Sequence, residues 1–466
     1  MESEQNLGIN SPEGRDIAFH MHPYTNPTML TGSGPHIISS GEGIFVTDKE
    51  NKTFIEGMSG LWCASLGFNE AELVEAAVNQ MRKLPFYHSF TGKTSNPAID
   101  LAEKLINIAP AGLAKAFFCN SGSEANDTAI KMVWYYQASQ GTPEKKKVIS
   151  RKRGYHGVTL AAASLTALPY AQDGFGLPLD FAKHTASPHY FLDSLENENE
   201  SEFVKRIMNE LEELIETEGA DTIGALIAEP VMGAGGVIIP PKGYFEALQK
   251  ILNKHSILLI ADEVICGFGR TGNMWGSDTY SLKPDILTCA KALSAAYLPI
   301  SAVLVSSQIV AGLEKQASEL GIFGHGYTYS AHPVPAAVAL RTLELMEERG
   351  IVEHVRSVAP LFNERVAALK KFSCVGHTRG VGLIGAMEFV GIPGTRTKMD
   401  SGKKFSVKAQ KIIQDAGVIL RSLPGDAIGF CPPLIITKNQ INEMFDRIEI
   451  VMPSLDRIAE NFRKEI

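Results

Sequence analysis

The feature that most constrains this sequence is a pair of apolar runs, each ending in one charge. The first is Ile257-Leu-Leu-Ile-Ala-Asp262-Glu-Val264; the second, Asp285-Ile-Leu-Thr-Cys-Ala-Lys291, places its amine 29 residues after Asp262. A short apolar run bounded by turn signals reads as a strand buried on both faces, as in a parallel sheet. A charge at the end of such a strand is costly to bury without a partner or ligand. The carboxyl ends of such strands face the crevice where open α/β sheets bind ligands. Asp262 and Val264 are two apart, so as strand residues they share a face, with Glu263 on the other.

One cofactor asks for both groups. Pyridoxal phosphate needs a lysine amine for its aldehyde and an acid for its ring nitrogen. The plain alternatives are a buried ion pair for Asp262 and an exposed helix lysine for Lys291. A preceding buried strand and small flanking residues favour a pocket for Lys291, where burial lowers the pKa of an amine and makes it a nucleophile.

Elsewhere the chain alternates between strand and helix patterns. Strand-like pieces lie at 37–38 and 44–46, and residues 71–83 read as an amphipathic helix. Strands follow over 114–119, 147–151, 223–228, 257–265, 286–289 and 300–305, with helices over 123–139 and 243–255. That alternation implies an α/β fold with a mainly parallel sheet. A helical stretch over 334–372 changes the rhythm, and a helix near 405–416 and a last one from 438 complete an α+β pattern. We expect a domain boundary near 335–350.

Other motifs carry chemistry less specifically. Asn120-Ser121-Gly122-Ser123-Glu124-Ala125 joins a strand to a helix. Its small residues let backbone amides approach a phosphate at the helix N-terminus, although a simple serine N-cap explains the same residues. Gly267-Phe-Gly269-Arg-Thr-Gly272 matches a dinucleotide fingerprint, but the residues after Gly272 are turn-like and open no helix. Tyr155-His156-Gly157 follows a strand, so Tyr155 is placed either to stack on a flat ring or to cap the strand. His20, His22 and His36 have no metal-ligand spacing, and we expect no metal site.

Net charge is −8 with no basic block, which argues against nucleic acid and anionic membranes as partners. None of the six cysteines forms a CxxC pair, as expected of reduced, buried thiols. The start of the chain has no secretory pattern. The longest apolar run, 222–241, is interrupted by Glu229, Pro230 and four glycines and makes a poor membrane span. We expect a cytoplasmic protein.

In series, Ser121-Gly-Ser-Glu-Ala-Asn-Asp127, Tyr155-His-Gly157, Ala228-Glu-Pro-Val231, Asp262-Glu-Val-Ile-Cys-Gly-Phe-Gly-Arg-Thr-Gly272, Ala290-Lys-Ala-Leu293 and Gly324-His-Gly-Tyr-Thr-Tyr-Ser330 resemble the class III pyridoxal-phosphate aminotransferases of fold type I. The likeness runs from about residue 20 to 455. It implies an N-terminal segment, 1–60, that packs with the small domain, a large cofactor-binding domain, 61–335, and a small α+β domain, 336–466. It also implies that Lys291 carries the cofactor and moves the proton, and that Asp262 pairs with the ring nitrogen. Tyr155 would stack on one ring face, and Val264 would cover the other. Ser121, Gly122 and Ser123 would hold the phosphate, with His156 and Glu229 in the supporting polar network. Thr328 would reach the phosphate of a neighbouring subunit, making the active unit a homodimer or a dimer of dimers.

Within the family the chain is most similar to the omega-amino acid or amine:pyruvate aminotransferases. Trp62 resembles the aromatic wall of their pocket, and Arg421 resembles the mobile arginine that binds the keto acid's carboxylate. Tyr24, Phe90, Ala234 and Tyr155 would line the pocket too. Ornithine-type members carry an arginine just before the Pro-Pro-Leu run, and Ala427-Ile-Gly-Phe-Cys-Pro432 has none. The implied activity is ping-pong transamination between an omega-amino acid or primary amine and pyruvate. The alternatives are another class III reaction (a gamma-aminobutyrate, taurine or diamine aminotransferase, an aminomutase or a decarboxylase), a nicotinamide-dependent dehydrogenase through the 267–272 loop, and a non-catalytic binding protein.

Overall fold

In the computed structural model, which describes residue 8 and residues 10–464, the apolar runs become the centre of one large sheet. Three N-terminal strands come first: β1 (Ile38–Glu42), β2 (Phe45–Asp48) and β3 (Thr53–Glu56), an antiparallel meander. The large sheet then takes β4 (Leu113–Cys119), β5 (Lys147–Arg151), β6 (Ala182–Thr185), β7 (Ile223–Ala228), β8 (Leu258–Asp262), β9 (Ile286–Cys289) and β10 (Ser301–Ser306). Their spatial order is β4-β10-β9-β8-β7-β5-β6. Only β10 runs against its neighbours; the other pairings are parallel. Every residue of β7 and β8 is buried, as strands covered on both faces must be.

Side chains of β8 alternate between two cores. Leu258 and Ile260 pack with Ala125, Ala129 and Val133 of the helix Gly122–Ser139. Leu259 packs on the other side with Phe203 and Leu248, from the helices Glu200–Glu218 and Tyr244–Lys254. Asp262 is the next residue on the first face, so the period-2 pleat points it at the helix that begins at Gly122.

The C-terminal part adds β11 (Val375–Val381), β12 (Ile384–Phe389), β13 (Val418–Ile419), β14 (Arg421–Leu423) and β15 (Ala427–Phe430). Four of these make an antiparallel sheet in the order β11-β12-β15-β14. The fifth, β13, pairs in parallel with β3 and so joins the two ends of the chain.

Two expected elements differ in extent from the sequence pattern, and the glycine loop matches it. The helical stretch 334–372 is two helices, Pro333–Glu348 and Ile351–Ala368, broken where Gly350 takes a left-handed φ of 57°. The expected strand 257–265 stops at Asp262, and Val264 begins a turn. The glycine loop 267–272 is all turn, and the short helix after it starts only at Gly276. Among the described residues no helix is long and apolar enough to cross a membrane.

A buried polar cluster ties the small antiparallel sheet to the large one. Arg379 on β11 donates to the carbonyls of Gly236 and Val237, in the loop after β7, and to Glu388 on β12 (2.6 Å). The second contact to Glu388 comes from His189 Nε2 at 3.0 Å. Burial alone would raise the Glu388 carboxyl, but hydrogen bonding from His189 and the Arg379 charge outweigh it and bring it down to about 2. Losing one partner of a buried pair strands the other charge, so Glu388→Ala should cost about 3–5 kcal/mol in chemical denaturation at pH 7. The folded carboxyl titrates below the ordinary 4.5. Its stabilisation is therefore present above that value and is lost as pH falls toward 2. Denaturation curves of wild type and variant that stay apart at pH 2 would refute the assignment.

Candidate active site

The site forms where β8 and β9 end side by side. Asp262 is in register with Thr288, three residues before Lys291. Lys291 opens the short 3-10 turn Lys291–Ser294, where the chain leaves β9 to return as the antiparallel β10. It takes a left-handed φ of 50°, and Ala295 and Ala296 follow at 48° and 69°. For residues with a Cβ these are strained conformations that surrounding structure must enforce. Burial lowers the Lys291 ammonium below the usual lysine range, with the Asp262 charge opposing. Among the described residues no hydrogen-bond or ion-pair partner holds the amine.

Asp262 is fixed from three sides. Its Oδ2 accepts from Asn126 Nδ2 at 2.9 Å and lies 2.8 Å from His156 Nδ1, while Oδ1 accepts from the Val264 amide at 3.1 Å. Next to a carboxylate the His156 nitrogen is the donor. Asn126 is itself held: Nδ2 also donates to the His156 carbonyl, and Oδ1 accepts from Thr288. Glu263 turns away and accepts from the Gly276 and Ser277 amides and the Ser277 hydroxyl.

A cavity of about 110 Å³ opens over these groups. Lys291, Asp262, Val264, Tyr155, His156, Glu229, Gly122 and Ser123 all border it. Ser121 does not; it caps the helix Gly122–Ser139 by accepting from the Glu124 amide at 3.2 Å. That leaves the first turn's N–H groups at Gly122 and Ser123 pointing out of the helix end, as an anion requires. Two glycines keep the space open. A Cβ on Gly157 would come within 2.5 Å of Ser123 Oγ, and one on Gly122 within 3.0 Å of Val264. Glu229 braces the rim by accepting from the amides of Tyr155 (3.1 Å) and Gly233 (2.8 Å).

These residues fit pyridoxal phosphate: an acid held by three donors for the ring nitrogen, an amine at a lowered pKa, and an amide-lined helix end for the phosphate. His156 Nε2 is buried without a hydrogen-bond partner.

A second, larger cavity of about 840 Å³ has Tyr24, Ala234 and Arg421 among its lining residues, with Tyr170, Phe175 and Leu177. The hydroxyls of Tyr24 and Tyr155 lie 3.3 Å apart, which joins the two spaces. Arg421 is the one charged side chain among the lining residues. It sits on β14, opposite Gly429 of β15, so the mobility that the resemblance implies is that of a side chain rather than of backbone. Trp62, Phe90 and Thr328 border neither cavity in the single chain. Trp62 is buried against Gly429, while Phe90 and Thr328 are exposed, Phe90 lying over Gly326.

Asn126 is a site residue that sequence reasoning missed, because its role depends on Asp262, far away in the chain. The segment 158–177, which supplies one side of the large cavity, had no signal at all. Histidine spacing also missed one cluster: Asp16 bridges His20 and His22, and the three ligand-type atoms lie within 4.8 Å of one another. The shared carboxylate satisfies both rings by hydrogen bonding. His36 pairs with Asp48 instead, at 3.2 Å.

Comparison with known proteins agrees with this geometry. The model of the family Aminotransferase class-III matches residues 30–452. A rice protein (Oryza sativa subsp. japonica) named gamma-aminobutyrate transaminase 1, mitochondrial, is 46% identical over 459 residues, 97% of this chain and 88% of its own. The omega transaminase from Pseudomonas jessenii, solved in complex with PMP, superposes with a TM-score of 0.92 at 46% identity, covering 97% of this chain and 99% of that one. A structure described as a transaminase with L-ala has a TM-score of 0.89 at 48% identity, over 90% of this chain and 99% of its own. The chain belongs to the class III aminotransferases and is a pyridoxal-phosphate enzyme of fold type I.

Proposed function

We propose that this aminotransferase moves an amino group from a primary amine without a carboxylate to pyruvate, releasing an aldehyde or ketone and alanine in two alternating half-reactions. The observation that carries the reading is Arg421. Its guanidinium has no hydrogen bond or ion pair among the described residues, and it faces a cavity whose other lining residues are uncharged. A carboxylate acceptor is its natural partner, and the uncharged remainder suits a donor without one.

Bound pyridoxal phosphate supplies an electron sink that makes the hydrogen on the amine-bearing carbon acidic. The chain's own groups do the rest. Asp262 keeps a proton on the ring nitrogen, which requires its charge, and Asn126, His156 and the Val264 amide keep that charge in place. The Gly122–Ser123 end of the helix holds the phosphate. Val264 and Tyr155 would border its flat ring, and Trp62, buried behind the Arg421 hairpin against Gly429, would back the donor pocket as its aromatic wall. Lys291 Nζ, deprotonated more readily because it is buried, takes the proton from the substrate carbon and returns it as an acid. We place Thr328 and the exposed apolar residues near it, Phe86, Phe90 and Tyr329, at a subunit interface, with Thr328 completing the partner's phosphate site.

A second reading rests on the rice relative, named for gamma-aminobutyrate. In that case Arg421 holds the far carboxylate of the donor as well. A panel of donors with pyruvate separates the two. We expect neutral arylalkyl amines to turn over at least as well as gamma-aminobutyrate; activity confined to gamma-aminobutyrate would reverse the assignment.

Arg421→Ala should raise KM for pyruvate by about 2–4 kcal/mol in binding terms, the scale of one lost bidentate pair, and leave KM for a neutral amine nearly unchanged. Small, equal effects on both half-reactions would make Arg421 a bystander.

Lys291→Ala should abolish turnover while leaving the fold intact. Mixed with Thr328→Ala chains under conditions of subunit exchange, it should regain activity, because one site of each heterodimer then holds both lesions and the other neither. Demonstrated exchange without rescue would put Thr328 in its own chain's site.

A further inference from the structure

The turn that carries Trp62 is strained. Ser59, Gly60 and Trp62 have φ of 50°, 65° and 66° within four residues. Only one of the three is a glycine, so the surroundings must impose the conformation on the other two. The Ser59 hydroxyl is tied to the Cys431 carbonyl at 2.7 Å and receives a hydrogen bond from Arg270. A second side-chain restraint is Glu56, the last residue of β3, which is 4% exposed. Its Oε1 accepts from the Met58 amide at 3.1 Å, and its Oε2 accepts from the Gly60 amide. Among the described residues no cation is paired with it, and burial pushes its carboxyl up to about 8. A buried acid without a cation is costly to keep, and an apolar residue would fill the same space at no such cost. The turn it holds ends at Trp62. It also sets Trp62 against the hairpin that carries Arg421: the indole lies 3.3 Å from where a Cβ on Gly429 would stand, and Gly429 is the register partner of Arg421.

We infer that Glu56 is a positioning residue for substrate selection, its carboxyl group clamping the Met58–Gly60 backbone so that Trp62 is held as the wall of the donor pocket. The inference rests on the reading of Trp62 as that wall. Glu56 touches neither substrate nor cofactor; it acts through Trp62.

A double-mutant cycle on the holoenzyme tests it. The quantity measured is the ratio of kcat/KM for a bulky arylalkyl amine to that for isopropylamine, both with pyruvate. Trp62→Ala should raise the ratio. Glu56→Ala should move it the same way by roughly tenfold, the scale of coupling between contacting residues. Glu56→Gln, which keeps the length and one acceptor oxygen, should fall between wild type and Glu56→Ala, and it carries the test alone if Glu56→Ala does not fold. In the Trp62→Ala background the Glu56 substitutions should shift the ratio no further. An equal shift in both backgrounds, or a uniform fall for both donors, would overturn the role of Glu56 and leave Trp62 as the wall. A Trp62→Ala enzyme with an unchanged ratio would overturn the reading of Trp62, and with it this inference.

Discussion

One buried negative charge, on Asp262, organises the site. A carboxylate at the end of a fully buried strand must be compensated, and the structure supplies three hydrogen-bond donors from three elements. Asn126 comes from the helix Gly122–Ser139, His156 from the loop after β5, and the Val264 amide from the turn that ends β8. The same helix that supplies Asn126 presents its amino end to the cavity one turn earlier. Packing Leu258 and Ile260 against that helix therefore fixes the acid and the amide-lined helix end in one step.

The reversal at β10 does comparable work for the amine. A seventh parallel strand would have carried the chain away from β9 through a crossover helix. The chain instead turns back at once, and Lys291 stands at the turn beside Asp262. The backbone strain recorded in its positive φ is held by the paired strands on either side. Further out, Glu229 ties the Tyr155 loop to the Gly233 loop, and Arg379 ties the next two carbonyls of that loop to the small sheet. The cavity rim is thus assembled from both sheets by buried polar bonds rather than by apolar contact alone.

Much of this was legible in the sequence, for a physical reason. Fully buried strands have no polar face, so β7, β8 and β9 announce themselves as short apolar runs, and a charge ending such a run stands out. The helices facing them show a 3.6-residue pattern. What the sequence hid depends on side-chain partners far apart in the chain. Nothing local distinguishes Asn126 from an ordinary helix polar residue until Asp262 is placed 136 positions later but 2.9 Å away. The break at Gly350 was masked because apolar spacing continues through it. The 158–177 wall is irregular, and irregular segments carry no periodicity to read. Trp62, Phe90 and Thr328 were singled out by family likeness rather than by any pattern of their own, and a single chain leaves them at the edge of the site.

Substrate choice turns on what a lone arginine can tolerate. A guanidinium left without a partner in an apolar cavity is unfavourable, and an uncharged amine does not relieve that, whereas a carboxylate does. In the proposed reaction Arg421 would therefore discriminate most strongly between the two states of one catalytic cycle, when the acceptor is bound and when the donor is. Its backbone is fixed by pairing with Gly429, so the adjustment must come from the long side chain, which reaches solvent at the open side of the cavity. Relatives of this chain carry names for both gamma-aminobutyrate and omega transaminase activity at similar identity, 46% in each case. Overall likeness is consequently the same for both substrates, so under the proposed function the choice between them falls to the side chains around Arg421 and to Trp62.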